Sequence, residues 1–314
     1  MNFKFSTKWD VVGIGASPLD IVTLADHFPT QREVQQSIAI HMNGGGPVGT
    51  ALAVLGKFGA NVIMIDKLSD DLIGKTIIND FQKYHVNTEH IIVENGKVSP
   101  SATILVEQAS GKRAIFFHTG TISDITDITP FKSIIENTKI LHVNGRHFDI
   151  LPQALKIAKN AGVKISFDGG ADRYSSNTRY LAKNADICIV AKDFAEKYTG
   201  EKAVEKELSY ILSKGAQIAG VTMGDKGSYI MDTERNCYYQ PAFNMAHVVD
   251  TTGCGDSYHG GFLYGLLQGL PIEKCMETAS AVAALNTQGI GGRGNLPDIN
   301  MLNMFYYICS RSLE

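Results

Sequence analysis

Hydrophobic and polar positions alternate in blocks along this chain. Short, nearly unbroken apolar runs are followed by longer stretches in which apolar residues recur three and four positions apart. The first run, Trp9–Gly15, stops at a glycine. Helical spacing follows over Val48–Phe58, a buried-strand pattern over Asn61–Asp66 and a helical one over Asp71–Lys83. Further buried-strand runs are Lys139–Val143, Val163–Phe167, Asp186–Val190 and Gln217–Thr222, each with a helix-like neighbour. Unbroken apolar strands are covered on both faces. The rhythm therefore predicts an α/β fold with a mostly parallel sheet between helices.

Two regions depart from it. Glu33–Met42 and Ser101–His118 look extended, and the second bends around Gln-Ala-Ser-Gly-Lys at 108–112, a hairpin turn. They predict a small β subdomain or lid, over roughly 31–43 and 98–120 of a single domain spanning 1–314. Ser228–Met231 and Cys237–Gln240 are strands around the turn Asp232–Asn236. The last third returns to helices at Gly255–Leu267, Ile272–Leu285 and Ile299–Ser310, and no internal repeat or long linker is present.

Composition mainly removes possibilities. The chain has 314 residues, 44% hydrophobic and 19% charged, with a net charge of −3, which gives no electrostatic case for nucleic acid or a membrane surface. No apolar run approaches the roughly 20 residues that span a bilayer. The N-terminus lacks the apolar core of a signal peptide. Five cysteines, at 188, 237, 254, 275 and 309, are scattered without a Cys-x-x-Cys pair, as expected for reduced thiols in a cytoplasmic protein.

Candidate chemistry gathers at glycines. Asp250-Thr-Thr-Gly-Cys-Gly-Asp256 is a tight turn running into an apolar helix. Such a helix start offers unpaired N–H groups to an anion, and a first-turn carboxylate beside it can take a proton. In isolation the segment is equally an ordinary helix start with Asp in a favoured place. Asn43-Gly-Gly-Gly-Pro-Val-Gly-Thr50 is a second loop-to-helix glycine cluster. Gly13-Ile-Gly15-Ala-Ser-Pro18 has a proline where a dinucleotide fingerprint needs its third glycine, and no Walker A sequence is present. Asp20 follows the first strand, where it is either a ligand for vicinal sugar hydroxyls or a solvated loop carboxylate. Thr222-Met-Gly-Asp-Lys-Gly227 joins two strands, as a nucleotide loop or a plain hairpin.

Taken in order, these segments resemble the ribokinase/PfkB family of carbohydrate kinases. Gly45–Gly59 is similar to its first signature, Asp66–Gly74 to the segment after it, Thr222–Gly227 to its nucleotide loop and Asp250–Asp256 to its second signature. The resemblance runs from Val11 to Pro297. It implies a three-layer α/β/α ribokinase-like fold, a β-sheet lid that often mediates a homodimer, ATP, Mg²⁺ and, in many members, a monovalent cation such as K⁺. It places the general base at Asp256 and an anion hole at the amides of Gly253, Cys254 and Gly255. Asp20, Gly45, Gly46 and Thr50 fall on sugar positions, Thr222, Gly224, Gly227 and Ser280 on nucleotide positions, and Asp250 and Thr252 on the monovalent-cation loop.

Departures narrow the reading. Thr50 replaces a common Asn, Ala191-Lys-Asp-Phe194 replaces the N-x-x-E linked to magnesium and phosphate, and Asp168-Gly-Gly lacks the Asn of D-x-N. Leu141–Arg146 and Lys192–Ala195 resemble a ketohexokinase-like branch, and Gly291-Gly-Arg293-Gly resembles a sulfofructose kinase-like one. Arg146 is a candidate substrate contact or a surface ion pair, and Arg293 a candidate site residue. Cys254 reads as a small filler, His259 as a neutral packing residue, and His41 and His118 as lid residues of undecided role. The expected activity is ATP-dependent phosphorylation of a primary hydroxyl on a small sugar or ketose. A nucleoside acceptor and a sugar-binding protein with impaired catalysis are the alternatives.

Overall fold

A computed structural model describes residues 7–110 and 112–311. The first half contains β1 (Trp9–Ile14), β2 (Leu19–Ala25), β3 (Ala39–Gly44), α1 (Pro47–Lys57), β4 (Val62–Ser69), α2 (Leu72–Lys83), β5 (Ile91–Glu94), β6 (Ser101–Glu107), β7 (Arg113–His118), α3 (Lys132–Glu136) and β8 (Thr138–Val143). The second half contains α4 (Leu151–Asn160), β9 (Lys164–Gly169), α5 (Ser176–Asn184), β10 (Ile187–Ala191), α6 (Lys192–Thr199), α7 (Val204–Ser213), β11 (Ile218–Thr222), β12 (Ser228–Asp232), β13 (Cys237–Gln240), α8 (Cys254–Leu267), α9 (Ile272–Asn286) and α10 (Ile299–Arg311).

Nine strands form one sheet in the order β13-β12-β11-β10-β9-β8-β1-β4-β5. All neighbours from β11 to β5 are parallel, and β12 and β13 add an antiparallel edge. Successive strand residues point to opposite faces, so each parallel strand feeds two cores. Val12, Ile63, Leu141 and Phe167 pack with Leu155, Leu181, Phe194 and Leu208 on one side. Val11, Met64 and Ile140 pack with Leu52, Phe81, Phe262 and Met276 on the other. Helices α1, α8 and α9 lie unusually close. A Cβ on Gly260 would stand 2.8 Å from the Ala51 carbonyl oxygen, and one on Gly261 2.8 Å from Ala279 Cα, so glycine sets these helix separations.

A second sheet, β3-β2-β6-β7, pairs β2 antiparallel to β3 and parallel to β6. Val22, Ala102, Ile104 and Val106 form its own small core. The expected extended segments are therefore present, with two corrections. Within 31–43 only Ala39 onward is strand, and the strand β2, at the sheet's centre, contains the position read as a loop, Asp20. Its pairing with β6 lies far along the chain and leaves no local pattern. No helix among the described residues is long and apolar enough to cross a membrane.

Candidate active site

The turn before α8 is built as its glycines suggest. Gly253 caps the helix in the left-handed region, with φ 72° and ψ 3°. A Cβ there would also stand 2.3 Å from the Gly292 carbonyl oxygen, so the position excludes side chains on two grounds. Ser257 N–H closes the first helical turn onto Gly253 O at 2.8 Å. That leaves the N–H groups of the first turn facing outward at the positive end of the helix. Of the three expected amides, that of Cys254 bends back toward Thr251 O at 3.4 Å, a long and weak contact. Around Gly255 a Cβ would meet nothing within 4 Å, so its backbone is open to the cleft.

A cavity of about 550 Å³ lies against this turn. Its wall includes Thr222, Gly224, Gly227 and Ser280, together with Cys254 and Gly255. All four expected nucleotide positions, separated by up to 58 residues in sequence (280 − 222), thus meet the helix start in one space of ligand size. Gly227, at φ 81°, packs against β13: a Cβ would lie 2.1 Å from Gln240 O. Ser280 donates its hydroxyl to Pro241 O at 3.3 Å, fixing the opposite wall.

The acidic groups lie on the other side of the turn. Asp20, 8% exposed, lies against the Gly45 backbone, whose hypothetical Cβ would fall 2.2 Å from Oδ2. Burial pushes its carboxyl up to about 7; Arg293 opposes the shift, and Asp256 and Asp250 add to it. Asp256 is half-buried and is raised to about 6 by burial and then by Asp168, against the positive charge of Arg173, His259 and Arg293. Cys254 is raised to about 12 by burial, Asp250 and Asp256, which overrides the thiolate tendency of a helix start and fits a filler role.

Asp250 is committed to structure. Oδ1 accepts from Thr252 N–H (2.8 Å) and Oγ1 (2.7 Å), and Oδ2 accepts from Gly291 N–H (2.9 Å). Arg113, from β7 of the second sheet, reaches Asp250 Oδ1 at 3.8 Å and Thr252 Oγ1 at 3.2 Å. A guanidinium therefore stands beside the two residues for which the sequence suggests a monovalent cation. Asn286 Nδ2 binds Gly292 O at 3.0 Å, and Asn43 Nδ2 binds Ile290 O at 3.1 Å, tying the 289–295 loop to both α9 and the second sheet.

Other candidate residues have clear surroundings. Thr50 is fully buried and its hydroxyl accepts from Arg293 Nε at 3.2 Å, so it holds the Arg293 side chain. Arg293, 2% exposed, also donates from Nη1 to Asp80 Oδ2 (2.6 Å) and from Nη2 to Gly45 O (2.9 Å), and lies over the Phe81 ring. It is a buried latch behind Gly44 and Gly45. Arg146 pairs with Asp124 at 3.1 Å, the ion-pair alternative. His259 is buried, but it faces Asp168 at 3.3 Å where plain packing was expected. His41 and His118 are exposed on the second sheet. Within Ala191–Phe194 the position of the missing Glu is Phe194, a core residue; Lys192 pairs with Glu207, and Asp193 accepts from Asp172 N–H at 2.8 Å. Sequence reasoning missed Arg113 and Arg173, because surface arginines carry no signal until their neighbours are known.

Residues 8–299 match the pfkB family of carbohydrate kinases. The chain belongs to this family. A 6-phosphofructokinase described as ATP-dependent, from Thermoanaerobacterium thermosaccharolyticum, is 26% identical over 95% of this kinase and 94% of its own length. A putative ribokinase from Agrobacterium tumefaciens superimposes with a TM-score of 0.85 at 20% identity, covering 96% of this chain and 99% of that one. Arabidopsis thaliana ribokinase, solved with ribose and ATP, gives 0.79 at 22% identity over 94% and 98%. The three-layer kinase fold with its small second sheet is thus shown, as is a phosphotransferase acting on a sugar hydroxyl with ATP. The binding-protein alternative falls away.

Proposed function

We propose that this kinase transfers the γ-phosphoryl group of ATP to a primary hydroxyl of a small sugar or ketose, with Asp256 as base. The observation that carries this reading is the single cavity joining Thr222, Gly224, Gly227 and Ser280 to the start of α8, with Asp256 in that helix's first turn. ATP lies along that cavity, its terminal phosphate at the amides of residues 253–255, where the helix end stabilises charge on the transferring group. Asp20 and the Gly45–Gly46 backbone receive the sugar hydroxyls. Asp256, poised near neutral pH, accepts the proton of the attacking hydroxyl.

Mg²⁺ supplies charge neutralisation at the phosphates when bound. Few protein carboxylates are needed for that, because Mg²⁺ keeps several waters and binds substrate phosphates, in keeping with the missing Glu at Phe194. The second sheet acts as a lid that excludes water. Its edge strands leave Ile40, Met42, Ile115, Phe116 and Phe117 exposed, which supports a homodimer through the lid. ADP release measured across ketoses, aldoses, their phosphates and nucleosides tests the acceptor; a nucleoside preference would replace the sugar reading. Asp256→Asn should lower kcat by about 10²–10⁴-fold while retaining ATP affinity, and near-normal kcat would remove Asp256 as base.

A further inference from the structure

Beneath the first turns of α8, three buried side chains from separate segments converge. His142 on β8, Asp168 on β9 and His259 on α8 each place one ligand-type atom within 4.8 Å of the other two. Their exposures are 0%, 2% and 4%. Each keeps an uncommitted buried atom: His142 Nε2, Asp168 Oδ2 and His259 Nδ1 have no hydrogen-bond partner. Unpartnered buried atoms on side chains this close together, His142 Nε2 foremost, point to an occupant.

We propose that His142, Asp168 and His259 form a binding site for a divalent transition ion of the Zn²⁺ class. The 3.3 Å between His259 Nε2 and Asp168 Oδ1 is long for a hydrogen bond. It is the separation of roughly 3.3–3.4 Å expected for two ligands about 2.0–2.1 Å from one tetrahedral ion. His142 is oriented through Nδ1 by Ser166 Oγ at 3.0 Å, the outer-sphere partner that metal-bound imidazoles usually have, which leaves Nε2 for the ion. Two nitrogens and one oxygen select a borderline ion over Mg²⁺, which prefers oxygen alone, so this site differs from the one that accompanies the nucleotide.

Asp256 lies three residues before His259, and Asp168 is the nearby charge that most raises its carboxyl. On the reading of Asp256 as base, a bound cation offsets Asp168 and favours the ionised form of Asp256.

The test uses full-length protein without a histidine tag, stripped by chelation and titrated with Co²⁺ alone. Wild type should bind one equivalent, with the visible absorption of a tetrahedral site, and Zn²⁺ should displace it where millimolar Mg²⁺ does not. His142→Asn and His259→Asn should abolish the absorption. Ser166→Ala, which removes only a hydroxyl, should weaken binding about 10–100-fold and serves if the histidine variants do not fold. Folded wild type that takes up no Co²⁺ or Zn²⁺, or binding that survives in folded His259→Asn, overturns the proposal. Absorbance reads it without turnover, so it fails or stands separately from the kinase reading, which the ADP-release panel tests.

Discussion

Replacing Arg293 by Met separates a structural latch from a substrate contact. The guanidinium is fully buried, and its partner Asp80 Oδ2 has one other donor, Gly44 N–H at 3.2 Å. Methionine keeps most of the volume over Phe81, so packing loss is small. What remains is a buried carboxylate stripped of its counter-ion, together with a Gly45 carbonyl and a Thr50 hydroxyl without their donor. Breaking one partner of a buried pair costs about 3–5 kcal/mol. The additional lost hydrogen bonds are part of the same network and do not add in full. At roughly 2–4 °C per kcal/mol for a chain somewhat smaller than this one, Tm should fall by about 6–20 °C. Adding Asp80→Asn removes the stranded charge while keeping an acceptor for Gly44, so the double variant should be more stable than Arg293→Met alone. Urea unfolding of both singles and the double gives the coupling. A loss under about 1 kcal/mol for Arg293→Met, or strict additivity, refutes the latch. So does unchanged stability with a raised KM for sugar, which would make Arg293 a ligand contact.

Other consequences concern charge at the site. Because Asp256 is raised to about 6, and a base must be ionised, kcat should fall about tenfold per pH unit below about pH 6; a flat profile down to pH 5 contradicts this. Asp20 is raised from 3.8 to about 7, so between those values the folded protein holds a proton that the unfolded chain has lost, and stability declines as pH rises through that window. Asp20→Asn should therefore be more stable than wild type at pH 8, by up to about 4 kcal/mol, but not at pH 4, while binding sugar poorly; equal urea midpoints at pH 8 would count against it. With Arg113 beside Asp250, wild-type turnover should survive replacement of K⁺ by choline, whereas Arg113→Met should acquire a K⁺ requirement. Cys254→Ala should be nearly silent in kcat, and a large loss would reopen a thiol role.

The parallel sheet was legible because its strands are covered on both faces and read as unbroken apolar runs, as in Val163–Phe167. The glycine turns were legible because few residues can replace Gly253 or Gly227. Other features depend on partners distant in sequence. Strand β2 lies between β3 and β6, the latter about 80 residues on, and Asp20 is a strand residue through pairing with Asn43 and Ala102. Arg293 stood in a glycine-rich loop beside a supposed site, and its real neighbours, Asp80, Thr50 and Gly45, come from well-separated positions. The same holds for Arg113 and for the buried His142, Asp168 and His259: each residue is unremarked alone, and only the fold supplies its chemistry.

The strand order has a consequence for synthesis on the ribosome. Once β8 has paired with β1, the strands β9, β10, β11, β12 and β13 join one edge in the order in which they are translated. Each emerging strand finds its docking edge already made, so the sheet can grow vectorially without a long search. The active site cannot form the same way. Asp20, the turn before α8 and the loop carrying Arg293 come from opposite ends of the message. A nascent chain halted after β13 would hold most of its strands and none of the 250–256 turn, so on the proposed mechanism competence arrives with the last fifth of translation.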